Sequence, residues 1–482
     1  MERRGARDVA QGSSTPEVCE DGPFKGYARL HWIHSAASAR AGERCFALMH
    51  HLNVHNLRRA FQELDGSKAP GIDRVTKEQY RLHLEDNLAA LAQKLRGGGY
   101  CPRPNRQVLI PKPQGGTRPL AIGCLEDKIV QTLVARILEA LFEPMFVGEN
   151  FGFRRGKSAH QAVGRLYETI HDKQDRCVIV EMDIEKFFDS VDHQALMQRL
   201  ETKIGDEHFL RLLRRLLRAS VLTTDGELAP TELGTPQGSP VSPVLANIYL
   251  HFLLDGWFRD NYRAKGRMIR YADDAVFVFG DAKAAAKFRS ALEERLREGG
   301  LRLNLDKSSI VPFSRRNPKG TVSFLGFELY WGRDAAKRRL LKVKTTNKSL
   351  HRGMRAFNEW VKRWRNRMKL DRLWSLASTK LQGHFNYFGI RTNSPKLSHF
   401  YVSCVSSLFR WLNRRSQKRS FTWEQFARRL FFNPLPLPPL ELNLRDVSSE
   451  QRSKKHKPKS RMREIRTSGS VRSTRRQRLV FT

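Results

Sequence analysis

Two adjacent carboxylates, Asp273 and Asp274, lie between two short apolar segments of the chain. Residues 268–270 precede them and residues 275–279 follow them. This pattern predicts a strand, a tight turn and a returning strand, with both acids at the turn. Acids at the tip of a buried hairpin need a compensating positive charge, because an unpaired carboxylate in a dry site costs several kcal/mol.

A third acid follows another predicted strand. Residues 178–182 are mostly apolar and β-prone, and Asp183 comes directly after them. Three oxygen ligands that converge from two strand ends suit Mg²⁺, a hard ion that shares its coordination shell with substrate phosphates. The same arrangement serves two-metal displacement at a phosphorus atom.

The composition favours a polyanionic partner. The 482 residues include 87 Lys and Arg against 49 Asp and Glu, a net charge of +38, and such an excess is typical of nucleic-acid binding. A membrane partner is disfavoured because no apolar run approaches the roughly twenty residues that span a bilayer. The N-terminus lacks the apolar core of a secretion signal. The six cysteines form no C-x-x-C pair, which leaves a zinc ribbon or cysteine-paired nuclease unsupported and fits a reducing cytoplasm.

Four further segments carry residues suited to nucleotides or nucleic acid. Residues 108–122 predict a hairpin with Lys112 and Arg118 aimed at a triphosphate, or simply solvated. The loop 150–156 places Phe153 and Arg154 where they stack on a template, or merely pack. The loop 66–73 carries Lys68, and the loop 234–240 opens a helix at Ser242 whose backbone N–H groups can approach phosphate or base. Residues 324–327 predict a strand with a close-packing glycine.

After residue 330 the chain becomes strongly basic. Residues 352–372 alternate cations, Arg363 and Arg367 among them, with Trp360 and Trp364. This pattern predicts basic helices with one apolar face laid against a duplex, although a charge run can also be a solvated face. Residues 449–482 contain many cations and few core-forming side chains, which predicts a tail that orders only on nucleic acid.

The order of these motifs resembles the bacterial group II intron-encoded reverse transcriptases, the maturase family, from about residue 56 to 446. Residues 66–73 resemble the RT0 loop of the family, and residues 110–122 and 152–154 resemble its two fingers motifs. Residues 183–189 and 271–274 resemble its two catalytic palm motifs, and residues 383–388 resemble a helix of its thumb. The remaining motifs of the family match residues 236–238, 300–307 and 324–327. The chain departs from the family at Ser239, where a glycine is usual, and at Arg155, where a proline is usual. The lack of a cysteine-paired nuclease motif fits the endonuclease-lacking branch.

The resemblance implies a role for each matching residue. Asp183, Asp273 and Asp274 are the catalytic acids and, with the Ile184 carbonyl, hold two Mg²⁺ ions for which Mn²⁺ is a substitute. The implied dNTP site comprises Lys112, Arg118, Phe188, Gln237 and Lys307, with Phe188 as the ring that excludes a ribose 2′-OH. Template or RNA contacts are predicted for Lys68, Phe153, Arg154, Arg363 and Arg367.

These observations predict an α+β right-hand polymerase with an antiparallel palm sheet and an α-helical thumb. The predicted segments are a flexible leader (1–44), an RT0-containing extension (45–100), fingers and palm (101–330), thumb or domain X (331–446) and a basic tail (447–482). The expected partners are structured RNA, RNA/DNA duplex, a DNA target and dNTPs, in the cytoplasm or at the nucleoid. The predicted function is RNA-directed DNA synthesis, together with help in intron splicing and retrohoming. Two alternatives stay open: a domesticated or defence-associated reverse transcriptase, and an RNA-binding splicing cofactor without polymerase activity.

Overall fold

The computed structural model describes residues 18–40, 42–111, 116–173, 175–316, 318–415 and 421–438. The helices of this part are α1 Leu30–Ala39, α2 Val54–Glu63, α3 Lys77–Arg81, α4 Leu84–Arg96, α5 Leu125–Phe142, α6 Ala159–Asp172, α7 Phe187–Ser190, α8 His193–Glu201, α9 Glu207–Leu217, α10 Ser242–Leu250, α11 Gly256–Tyr262, α12 Ala282–Glu298, α13 Asn347–Trp364, α14 Leu370–Phe388, α15 Ser394–Leu412 and α16 Trp423–Phe432. Short 3₁₀ turns occur at Met49–His51, Glu143–Met145 and Arg391–Asn393, and a π-helical turn at His251–Asp255 joins α10 to α11.

Within the described residues, the strands form three sheets. They are β1 Asn105–Pro111, β2 Thr117–Ile122, β3 Val178–Met182, β4 Val221–Leu222, β5 Leu228–Ala229, β6 Gly266–Tyr271, β7 Asp274–Phe279, β8 Ile310–Pro312, β9 Thr321–Phe324, β10 Phe327–Arg333 and β11 Arg339–Thr345. Their orders are β2-β1-β4-β5, β6-β7-β3-β8 and β11-β10-β9. The mixture of helices and sheets confirms the predicted α+β class.

The four-stranded sheet β6-β7-β3-β8, called the central sheet below, is antiparallel at every pairing. Side chains of a strand alternate between the two faces of a sheet, and both faces of this one are buried. Val180 and Phe277 contribute to one hydrophobic core, whereas Ile179 and Val278 contribute to another. The strands therefore have little freedom to shift in register, because a one-residue slip would exchange the two buried faces.

The two cores divide the chain between the faces of the central sheet. The first core collects α1, α2, α4, α5 and α8 to α12. The second collects α6, the sheet β11-β10-β9 and α13 to α16. Helices α13 to α16 therefore share their core with one face of the sheet that carries the acids.

The predicted flexible leader is wrong for residues 18–40. Tyr27 and Leu30 are fully buried in the first core, and the backbone N–H of Ala28 donates to Oδ1 of the buried Asn56 at 2.7 Å. Burial of Phe24, Tyr27 and Ile33 holds this segment against α5. The prediction missed this interaction because the surrounding sequence is rich in Gly, Ser, Ala and Arg.

One strand prediction and one predicted module boundary near residue 330 also need correction. Residues 324–327 are not one strand: Leu325 and Gly326 have φ values of 52° and 81° and turn the chain between β9 and β10. Gly326 is used for this left-handed conformation, rather than for close packing inside a strand. The predicted boundary between 330 and 331 falls within β10, so the division between the predicted modules lies elsewhere.

Helices α8 and α9 are separated by an interruption of five residues, 202–206. Asp206 ends the interruption by accepting the backbone N–H of Phe209 at 3.0 Å, which caps α9. No helix among the described residues is long and apolar enough to cross a bilayer. Residues 447–482 lie outside the described ranges, and the basic tail stays a prediction.

Candidate active site

Strand register brings the three acids together. Strands β3 and β7 pair antiparallel from Val178↔Phe279 to Met182↔Ala275. Asp183 directly follows Met182 and Asp274 directly precedes Ala275, so these acids are opposite each other at the same end of the central sheet. Strands β6 and β7 close at Tyr271↔Asp274, leaving a two-residue loop of Ala272 and Asp273. The predicted hairpin with acids at its turn is confirmed.

The hairpin loop has an uncommon backbone conformation. Ala272 adopts a φ of 58°, a left-handed value that is uncommon outside glycine and concentrates at functional sites. Gly152 lies directly behind it: a Cβ at that position would overlap the backbone nitrogen of Ala272. The loop 150–153 therefore supports the turn that carries Asp273, and Gly152 is required for that close approach.

The hairpin acids are electrostatically disfavoured as anions. Burial is the main cause that raises the pKa of Asp274 to about 7, and the charges of Asp273 and Asp183 add to it. Lys307 opposes this increase, and part of the Asp274 side chain still reaches solvent. Burial raises the pKa of Asp273 as well; Asp183 adds to this increase, while Arg118 and Arg270 oppose it. Mutual repulsion of this kind makes the group a strong attractor for a cation.

Asp183 is held by a turn that follows α12. Its backbone N–H donates to Ser308 Oγ at 3.2 Å, and its carbonyl accepts from the backbone N–H of Asn304 at 2.9 Å. Its carboxylate accepts from Lys307 Nζ at 3.1 Å. The structure thus joins Lys307 directly to a catalytic-acid candidate, whereas the sequence suggested only a phosphate neighbour.

The donor set fits a hard divalent cation. Carboxylate oxygens are the ligands that Mg²⁺ takes most readily, and the three acids share one field that raises the pKa of the hairpin pair. Among the described residues, no three acidic, His or Cys side chains are gathered closely enough to hold a metal ion by themselves. Ile184, whose carbonyl is the fourth predicted ligand, is buried and bridges to Leu303.

A cavity of about 170 Å³ brings other predicted residues together. Phe188, Gln237 and Leu120 line it, along with Asp189. Gln237 Nε2 donates to Asp189 Oδ1 at 3.0 Å, and the Gln237 carbonyl accepts from the backbone N–H of Ala121 at 2.8 Å. The glutamine loop is therefore bound to strand β2, and Arg118 on that strand is near enough to lower the pKa of Asp273. Lys112 lies outside the described residues.

Phe153 contacts the predicted sugar-excluding ring. The rings of Phe153 and Phe188 meet edge to face, with centroids 6.2 Å apart and an interplanar angle of 75°. Phe153 has a left-handed φ of 55° and remains 41% exposed, so part of this residue is accessible to solvent or to a ligand.

Arg154 does not serve as the predicted template contact. Its side chain is 6% exposed, and it binds Glu143 at 2.7 Å and the carbonyls of Val147 and Asn150, both at 2.7 Å. Glu143 lies in the 3₁₀ turn Glu143–Met145, and Val147 and Asn150 lie in the loop that Arg154 follows. Arg154 is therefore a structural clamp for this loop, because its side chain is buried and four of its five N–H groups are already bonded to these partners.

The remaining predicted nucleic-acid contacts lie on other elements. Lys68 is 74% exposed in its loop and lies 3.7 Å from Asp65. Arg363, near the end of α13, has its guanidinium 5.7 Å from the Trp364 ring centroid. Arg367, in the turn before α14, is exposed. These three side chains are accessible, but none belongs to the acidic cluster.

Comparison with known proteins identifies the family and several relatives of this chain. Residues 110–329 match the family described as Reverse transcriptase (RNA-dependent DNA polymerase). Protein YkfC of Escherichia coli (strain K12) is 34% identical over 282 residues, which cover 51% of this chain and 73% of YkfC. An uncharacterized 91 kDa protein in a cob intron of Schizosaccharomyces pombe is 41% identical over 169 residues, covering 35% of this chain and 20% of that protein.

A third relative is named for an intron. Group II intron-encoded protein LtrA of Lactococcus lactis subsp. cremoris is 34% identical over 195 residues, covering 40% of this chain and 32% of LtrA. The chain therefore spans most of YkfC but only a fifth to a third of the two intron proteins. The α+β fold, together with the family match, is consistent with a polymerase core. The chain belongs to the reverse transcriptase (RNA-dependent DNA polymerase) family, in its group II intron-encoded, maturase-type branch.

Proposed function

We propose that this chain extends the 3′-OH of a primer with dNTPs on an RNA template. The observation that carries the proposal is the placement of Asp183 opposite Asp274 across β3 and β7, with Asp273 in the adjoining loop. Nucleotidyl transfer demands neutralisation of charge at the attacking and leaving oxygens, and three carboxylates at one sheet end supply the means to bind cations there. In this assignment, the central sheet is the palm and β1–β2 belongs to the fingers.

Asp183, Asp273 and Asp274, with the Ile184 carbonyl, would hold two Mg²⁺ ions. When bound, these ions activate the primer hydroxyl and stabilise the departing pyrophosphate. Lys307 and Arg118, joined by Lys112, neutralise the triphosphate. Gln237, bonded to Asp189, forms the floor beneath the incoming nucleotide, and the Phe188 ring excludes a 2′-OH. No side-chain nucleophile takes part.

Helices α13 and α14 form the proposed thumb. Arg363 and Arg367 are exposed there, and Trp360 and Trp364 carry neighbouring cations over their rings. Such a surface suits the phosphates of a structured RNA or an RNA/DNA duplex. This basic surface supports a second proposed role, which is binding of intron RNA during splicing and during retrohoming into a DNA target. Both processes would take place in the cytoplasm.

The test of the first role is primer extension by the full chain. A DNA primer annealed to an RNA template should be extended with dNTPs and Mg²⁺, and EDTA should abolish the extension. The matched reaction without template separates templated synthesis from terminal addition. Tight RNA binding without any templated extension would instead favour the splicing cofactor, and loss of intron splicing in a strain that lacks the chain would confirm that second role.

A further inference from the structure

We propose that Asp255, Arg270 and Asn247, here called the hairpin clamp, are positioning residues that fix the turn carrying Asp273 and Asp274. The inference rests on the proposed polymerase function, to which it adds three residues that touch neither primer nor nucleotide. Their work is to hold the backbone from which two metal-binding carboxylates project.

Arg270 is the centre of the clamp. It is fully buried and binds Asp255 with two parallel hydrogen bonds, Nε to Oδ1 at 2.7 Å and Nη2 to Oδ2 at 2.5 Å. Its remaining terminal nitrogen, Nη1, donates to the carbonyl of Ala272 at 2.9 Å. Because the bidentate pairing with Asp255 fixes the plane of the guanidinium, the N–H group that donates to the Ala272 carbonyl has a fixed orientation.

Asn247 joins the clamp to the loop behind the hairpin. Its Oδ1 accepts from Arg270 Nη1 at 2.9 Å and from Asn150 Nδ2 at 3.0 Å. Its Nδ2 donates to the carbonyl of Gly152 at 2.9 Å. Gly152 is the residue whose backbone packs directly against Ala272. The clamp therefore binds the Ala272 carbonyl of the hairpin loop and also fixes the Gly152 backbone against which that loop packs.

The helix that supplies Asp255 is shaped for this purpose. Residues His251–Asp255 form a π-helical turn between α10 and α11, and such turns insert an extra residue and are frequent at functional sites. The Asp255 side chain is 0% exposed. Burial raises its pKa, but the charge and hydrogen bonds of Arg270, with a smaller effect of His251 at 3.8 Å, outweigh burial and leave the pKa below its ordinary value. The acid is thus ionised beneath the sheet.

The target of the clamp distinguishes positioning from general stabilisation. A buried ion pair is weak evidence for stability, because apolar side chains of similar size often replace it without loss. Here Arg270 Nη1 donates to the carbonyl of Ala272, the residue with the left-handed φ of 58°. A strained loop of two residues needs such external bonds to keep one conformation.

The decisive variant removes both charges at once. Asp255→Leu with Arg270→Met leaves no unpaired buried charge and abolishes the hydrogen bond to the Ala272 carbonyl. The matched control is Arg136→Met with Glu63→Leu, which removes an ion pair between α5 and α2 without touching the hairpin. Circular dichroism and the thermal midpoint verify that each full-length variant is folded.

Two measurements follow on the folded proteins. Binding of Mn²⁺ alone, titrated without primer or nucleotide, should be about tenfold weaker in the clamp variant, because two of the ligands no longer share one orientation. The single-turnover extension rate should fall about 10²-fold, as expected for misplacement of reacting groups by about 1 Å. Raised Mg²⁺ should recover part of the rate, while affinity for primer–template should stay within about twofold. The control should match the unmodified chain in all of these measurements.

The proposal is overturned if the folded clamp variant keeps both the Mn²⁺ affinity and the extension rate of the unmodified chain. If the double variant fails to fold, Arg270→Lys takes its place, since a lysine retains the charge for Asp255 but cannot also reach Ala272 with a fixed donor. This variant should lose extension rate about tenfold, and an unchanged rate would again overturn the proposal. Absence of polymerase activity in the unmodified chain would refute the proposed function, whereas the Mn²⁺ titration would still test the clamp.

Discussion

Lys307 Nζ lies 3.1 Å from Asp183 Oδ2, so an ammonium group neutralises the carboxylate at the end of β3. The contact is open to solvent, because 58% of the Lys307 side chain is exposed. An exposed lysine pair of this kind contributes little stability and is easily exchanged for another partner. Lys307 can therefore leave Asp183 for a phosphate of the incoming nucleotide.

Substitution of Lys307 by methionine tests this exchange. A charged contact to a phosphate oxygen is worth about 1.5–3 kcal/mol, so Lys307→Met should raise the dNTP KM roughly 10- to 100-fold. Affinity for primer–template should not change. Lys319→Met removes an equal charge from an exposed position and serves as the control. An unchanged dNTP KM in Lys307→Met would confine the lysine to its pairing with Asp183.

Sugar selection should depend on Phe188. If its ring lies under the deoxyribose, Phe188→Ala opens room for a 2′-OH, and discrimination between dNTP and rNTP should fall about 10²-fold, the scale on which a pocket rejects one extra hydroxyl. Competing incorporation of dCTP and rCTP measures the ratio. Phe153→Leu, which removes the edge-to-face partner of Phe188, should produce a smaller effect of the same sign. Unaltered selection in Phe188→Ala would make Phe188 a packing residue.

The proposed thumb should bind RNA through phosphates. Replacing Arg363 and Arg367 together by glutamine should lower the slope of log affinity against log salt concentration by about two, because each of the two arginines neutralises one phosphate. Filter binding of a structured RNA at several salt concentrations gives this slope. Lys283→Gln with Lys287→Gln removes the same charge from exposed positions on α12. Equal slopes in both double variants would show that total charge, rather than a specific thumb surface, determines the salt dependence of RNA affinity.

Acidification should weaken the helical bundle around His384. Burial lowers the pKa of His384 to about 4, and its ring stacks on Phe400 with centroids 3.6 Å apart. Because the folded pKa is below the unfolded value near 6.5, the stabilising effect is complete above pH 6.5 and is lost as the pH falls toward 4. His384→Phe keeps the stacking and should reduce the drop in thermal midpoint between pH 7.5 and 5. An equal drop in His384→Phe and in a variant of the exposed His399 would remove His384 as a cause.

The sequence was sufficient for the acids and the hairpin because these depend on local signals. Alternation of apolar residues predicts strands, and a two-residue turn fixes which residues are at the tip. The pairing of β3 with β7, which brings Asp183 to Asp274, joins segments about ninety residues apart. Only the resemblance to a known family anticipated that pairing.

What the sequence missed depends on contacts between distant segments. Arg154 resembled a template contact because its type and neighbours suit RNA, yet its side chain is buried and four of its five N–H groups are bonded to Glu143 and to loop carbonyls. Asp255 did leave a signal, since it is the one Asp, Glu, Lys or Arg within the largely apolar residues 241–258, and buried charges are nearly always paired. The strand predicted over 324–327 failed because two left-handed residues, Leu325 and Gly326, reverse the chain.

The most direct test of the central claim is the single-turnover extension rate of Asp273→Asn on a primed RNA template with Mg²⁺. Because burial raises the pKa of Asp273, its ionised form is disfavoured in the metal-free fold, and the neutral amide should fold at least as stably near pH 7. We therefore predict a rate lower by several orders of magnitude, with RNA affinity and thermal midpoint unchanged and with full activity in the exposed Asp260→Asn control. Full extension activity in Asp273→Asn would contradict the assignment of the hairpin acids as the metal-binding centre of a reverse transcriptase.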